Sequence, residues 1–167
     1  MELNLHDIHV ESIALALDKA RQYRSLLEPE MAESICLDIL NIDEHNQQAI
    51  VLYILALTDQ LHHPEKQAQI KVIQQAIETL TSEYHRYYYA GLLNERQARF
   101  LISQPMSRSF AYDYFVEALQ YYQQAELLRP ENNDEAILRW NSCVRTIQKE
   151  KLQARLDSED VLVDMES

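Results

Sequence analysis

One scarcity constrains this chain more than any other feature: 167 residues contain a single glycine, Gly91. Tight β-hairpin turns need residues at positive φ, which glycine supplies at no steric cost. A sheet protein with one glycine would lack the turns that join its strands. Proline is confined to Pro29, Pro64, Pro105 and Pro130. Ala, Leu, Gln and Glu dominate, and all four are good helix formers. The expected class is all-α, in one domain over residues 1–156, large enough to bury a core without metals or disulfides.

Apolar spacing and the prolines place seven helices. Ile13, Leu17, Ala20, Tyr23 and Leu27 form one stripe of a first helix from about Asp7 to Leu27. Pro29 suits the first position of a second helix, ending near Ile42. A third covers about His45 to Leu61. Pro64 opens a fourth, to about Leu80. Thr81 or Ser82 caps a fifth, which runs to Ser103. Ser107 caps a sixth after Pro105, to about Arg129. A seventh begins near Asn132 to Asp134 and passes Ile147. The connections are short, so consecutive helices should pair antiparallel. Residues 157–167 hold five acids and no base, the pattern of a disordered tail.

The sixth helix carries the most specific pattern. Ala118, Tyr122, Ala125 and Pro130 keep the spacing of the second helix of a tetratricopeptide repeat. The same frame fits earlier stretches. Ala20, Tyr23 and Ala32 fit in the first pair, Ile54, Leu57 and Ala68 in the second, and Tyr87 and Gly91 in the third. Ala20 to Ile54 is 34 residues and Ile54 to Gly91 is 37. Over residues 8–130 the chain therefore resembles a tetratricopeptide repeat protein. The resemblance implies three helical hairpins and a capping seventh helix, wound as a right-handed α-solenoid. It departs from the family at Cys36, Asn94 and Glu44, which replace two aromatics and a proline.

Between Gly91 and Ala118 the chain runs 27 residues, against 12 between Ala20 and Ala32. The excess of 15 lengthens both helices of the third hairpin, which should project. Ile102, Met106, Phe110 and Tyr114 fall at its tip and are the expected contact for a homodimer, since monomers seldom expose large apolar patches; the alternative is that the tip folds back over the solenoid or serves the partner.

Motifs for catalysis are missing. One glycine cannot build a phosphate-binding loop. His6 and His9 lack a third ligand at helical spacing, and neither cysteine, Cys36 or Cys143, has a second one nearby. No enzyme activity, metal or cofactor is expected. The formal net charge of −12 repels phosphate backbones and anionic lipid, which excludes nucleic acid and membrane partners. With no targeting segment and two lone cysteines, a cytoplasmic protein is expected.

Function then follows from the resemblance. In that family the first helix of each pair lines a concave groove. Its positions fall here on Leu17, Arg21 and Arg24, on Val51, Leu55 and Asp59, on His85, Tyr88, Leu92 and Arg96, and on Asn141 and Arg145. The family's clamp for a peptide carboxylate uses Lys and Asn where this chain has Leu17 and Arg21, so that specificity does not carry over. The expectation is an adaptor or scaffold that binds a protein or peptide segment, acidic in character because arginines gather on the groove. A structural homo-oligomer, or a bacterial secretion or assembly chaperone of similar size and acidity, is the alternative. Three consecutive tyrosines, Tyr87 to Tyr89, spread around a helix at about 100° per residue, so at least one should be exposed.

Overall fold

Proline and short polar side chains set the helix boundaries, and their effect is visible end by end. The computed structural model describes residues 1–156; the tail expected over 157–167 lies outside them. Within the described residues the chain is all-helical, without strands. The helices are α1 (Ile13–Ser25), α2 (Pro29–Ile42), α3 (Gln47–Thr58), α4 (Ile70–Glu78), α5 (Glu83–Ile102), α6 (Ala111–Leu127) and α7 (Glu135–Lys149). Pro29 opens α2, where its missing N–H costs nothing. Asn46 caps α3, its Oδ1 accepting from the Ala49 N–H at 2.9 Å. Ser82 caps α5 by accepting from the His85 N–H at 3.2 Å. Ser107 makes no such bond. A 3-10 turn, Arg108–Phe110, leads into α6 instead.

Other expected boundaries move as well. The first helix starts at Ile13, after a 3-10 turn at Val10–Ser12. The fourth helix keeps its proline start, but Pro64–Gln69 winds as 3-10 and only Ile70–Glu78 is α. Ala68, the expected small packing residue of that helix, is consequently exposed. Ile73 and Ile77 provide the buried face in its place.

The scarcity of glycine shows at the helix ends. Leu27, Asn132 and Lys151 adopt φ of 61°, 62° and 53°. Leu27 closes α1, with the Glu28 N–H reaching back to the Tyr23 carbonyl at 2.9 Å. Leucine tolerates this conformation poorly, and glycine is the usual occupant.

Each helix packs on the next, and α1 also packs on α3, and α3 on α5. One core cluster joins α1 to α3 through Leu17, Ala20, Ala32, Cys36 and Ile39. A larger one runs from α3 to α7. Helix α3 serves both: Ala49, Leu52 and Ala56 face the first, Ile50, Ile54 and Leu57 the second. That sharing explains why α3 is almost wholly apolar.

Gly91 sits within α5 where α6 approaches. A Cβ built on it would lie 2.7 Å from Tyr122 Cε1. Glycine is needed here for close approach, not for a turn.

The third hairpin is long, as expected, but its tip is not left bare. Ile102 and Tyr114 pack against the core together with Ile147 and Leu152, from α7 and the segment after it. Arg108 Nη2 donates to the Glu150 carbonyl at 3.0 Å and to its carboxylate at 2.9 Å. The Arg155 guanidinium lies 3.9 Å over the Phe110 ring. Of the four residues expected at a dimer contact, Met106 is fully exposed and Phe110 partly so. The chain's own C-terminal segment covers Ile102 and Tyr114, and leaves Met106 and part of Phe110 open. The tyrosine run differs too. Tyr88 and Tyr89 are buried and Tyr87 is half-buried, because α5 is covered on several sides.

Two buried acids make the fold alkali-sensitive. Burial, and then the Glu33 charge, push the Cys36 thiol from about 9 up to about 12. Burial, followed by Glu135 and Tyr88, pushes the Tyr84 phenol from about 10 up to about 12. Both groups stay neutral in the fold and ionise more readily when unfolded. Their contribution is complete below the unfolded values and is lost as pH rises through about 12. Melting temperature should be flat approaching pH 9 and fall between about 9 and 12. A thermal-melt series in pH checks it, and a flat profile through that window would refute it.

Candidate functional site

Because α1, α3 and α5 lie side by side, side chains from positions far apart in sequence share one surface. Arg21, Arg24, Val51, Leu55 and His85, all expected on the groove, line one depression of about 370 Å³. Gln47, Gln48, Leu52 and Tyr89 complete its wall. The floor is apolar and the edge polar. Arg21 is exposed, donating to Asp18 Oδ1 at 3.0 Å and to Gln48 Oε1 at 2.8 Å. Burial holds the His85 imidazole below its ordinary range, with Glu135 opposing. His85 thus enters the wall uncharged at neutral pH.

Arg24 also borders a second depression of about 480 Å³, lined by Asp59, His62, His63 and Arg96. Its centre is an ion triad. Arg24 grips Asp59 with two bonds, Nε at 2.6 Å and Nη2 at 3.2 Å. Arg96 Nη2 approaches the same carboxylate at 3.5 Å. The pairs span α1, the end of α3 and α5, so the triad fixes how these helices sit beside one another. The bidentate geometry makes the first contact strong and directional. Arg96 Nε is buried without an acceptor.

Five expected groove residues are elsewhere. Leu17, Tyr88 and Leu92 are buried in the core. One position along a helix turns a side chain by about 100°, so the neighbouring Tyr89 takes the wall position instead of Tyr88. Asn141 and Arg145 lie on α7, half-buried and exposed respectively, outside both depressions.

A buried polar centre was missed entirely. Glu95 on α5 is fully buried. Its carboxylate accepts from Arg99 Nη2 at 3.0 Å, Tyr122 OH at 3.1 Å, Arg139 Nη1 at 3.2 Å and Cys143 Sγ at 3.3 Å. Arg99 further donates to Ser142 and Thr146 of α7 at 3.1 Å each. Burial, then the Glu95 charge, push the Tyr122 phenol and the Cys143 thiol well above their ordinary ranges. A thiol held this firmly protonated is a poor nucleophile. The cluster ties α5, α6 and α7 together. Its signal in the sequence was an acid on the apolar stripe of Tyr88, Leu92 and Glu95, with Arg99 one turn on.

No group of three or more metal-ligating side chains occurs among the described residues, and no helix there is long and apolar enough to cross a membrane. Compared with family models, curated proteins and solved structures, the chain has no significant match.

Proposed function

We propose that this chain is a protein-interaction module that holds a peptide or protein segment along the shared face of α1, α3 and α5. The observation that carries the reading is the assembly of Arg21, Arg24, Val51, Leu55 and His85 around one depression. An apolar floor of Val51, Leu52, Leu55 and Tyr89 within a polar edge has the anatomy of a recognition surface. The side-by-side placement of alternate helices supports a tetratricopeptide-like arrangement, with α7 as its cap. An acidic partner segment in the cytoplasm belongs to the same proposal. Arg21 would meet it at the exposed edge. Arg24 is committed to Asp59 and shapes the groove more than it recruits.

Affinity capture from the native lysate, followed by measured binding of the identified segment, tests this. Arg21→Glu should weaken binding by roughly tenfold or more, the loss of one charge-assisted contact. Its melting temperature should stay within a few degrees of the parent, because Arg21 is an exposed residue. Unchanged affinity would show that the partner uses another surface.

A further inference from the structure

The opposite side of α5 carries a second cleft, and its chemistry differs from that of the arginine-lined groove. Helices α4 and α6 both pack on α5 and leave between them a cavity of about 450 Å³. The mismatch of lengths accounts for it. Helix α4 has 9 residues and α6 has 17, so α6 runs about 12 Å further at 1.5 Å per residue. The floor is α5, at Ala90, Leu93, Asn94 and Gln97. Glu78 stands on one wall, and Tyr114, Glu117 and Tyr121 on the other.

We propose that this cleft binds a lysine- or arginine-bearing polypeptide segment. No lysine, arginine or histidine lines it. Glu78 and Glu117 are exposed and, among the described residues, form no ion pair. The chain beyond residue 156 holds no base that could pair with them. Asp59, which lines the depression on the arginine-bearing face, is by contrast paired with two arginines. Two tyrosine rings beside two unmatched carboxylates suit a cation, which gains from the carboxylate charge and from the ring faces together. Gln97 and the Tyr114 and Tyr121 hydroxyls can hydrogen-bond a peptide backbone. The carboxylates stand on opposite walls, so a segment lying along the cleft meets both.

The probe is a fluorescein-labelled peptide of alternating lysine and alanine, titrated against the full chain by fluorescence anisotropy. The variant Glu78→Gln, Glu117→Gln should weaken binding by about tenfold or more. Glu11→Gln, Glu131→Gln removes the same charge at exposed acids outside the cleft, and should change binding less than about twofold. Tyr121→Leu should weaken binding severalfold by removing one ring. Zero-length carbodiimide coupling should join the probe's lysines to Glu78 or Glu117. The proposal is overturned if the two double variants weaken binding equally, since attraction would then be a matter of net charge. It is overturned too if the probe does not bind, or if coupling maps outside the cleft. A nucleic acid or lipid surface is disfavoured by the same carboxylates.

Discussion

Glu95→Ala should lower the stability of this chain by about 3–5 kcal/mol, the cost of breaking a buried ion pair by removing one partner. The carboxylate is fully buried and receives four donors. Truncation leaves Tyr122 OH and Cys143 without an acceptor and opens a void between α5, α6 and α7. Arg99 and Arg139 are about a third exposed, at 33% and 37%. Both can turn toward water, which places the expectation at the lower end of that range. Glu95→Gln keeps the shape and most of the bonding but discards the charge, so it should cost less than the alanine variant. Urea denaturation at neutral pH is the measurement, with the slope unchanged so that the midpoint alone reports stability. A loss under about 1 kcal/mol for the alanine variant would mean the cluster specifies packing without stabilising it.

The contrast between what the sequence announced and what it concealed follows from the range of each interaction. Helix boundaries depend on local chemistry, and Pro29 and Ser82 act where their own geometry requires. Pro64 shows the limit. A proline start specifies that a helical turn begins, but not whether the following residues wind as 3-10 or α. Side-chain pairings are non-local. Arg24 and Asp59 are 35 residues apart, and Glu95 and Cys143 are 48 apart. A stripe on a helix therefore gives each residue's face without naming its partner. The same difficulty affects the expected groove positions. His85 reaches the depression, yet Tyr88 and Leu92 turn inward, because α5 is packed by α3 and by α6 at once. Periodicity alone does not say which stripe meets which neighbour. The partly covered tip is the third case. Its apolar residues are evident in the sequence, but the contacts to Arg108, the Phe110 ring and the core beside them come from Glu150, Arg155 and Leu152, beyond the last repeat-like helix.

Gly91→Ala should destabilise the protein by about 1–3 kcal/mol, the usual cost of overpacking, although the same change inside an exposed helix would stabilise by up to about 1 kcal/mol. The sign is decided by space. An added Cβ would stand 2.7 Å and 2.8 Å from two carbons of the Tyr122 ring, well inside van der Waals contact. The ring has little freedom to yield. Tyr122 is almost fully buried, its hydroxyl is held by Glu95, and the Tyr88 ring lies 5.8 Å away. Relief therefore requires α5 and α6 to part, and these are the two longest helices of the fold. The test pairs the variant with a smaller neighbour. Tyr122→Leu removes the ring and should itself be costly, because it deletes a buried aromatic and one of the four donors to Glu95. In the double variant the clash is gone, so Gly91→Ala should cost much less on the Tyr122→Leu background than on the parent. Thermal or urea unfolding of the four proteins gives the coupling directly. If alanine at position 91 is neutral or stabilising on the parent background, the helices can separate at little cost and the chain's lone glycine is not a packing requirement. If it destabilises equally on both backgrounds, the strain lies somewhere other than against Tyr122.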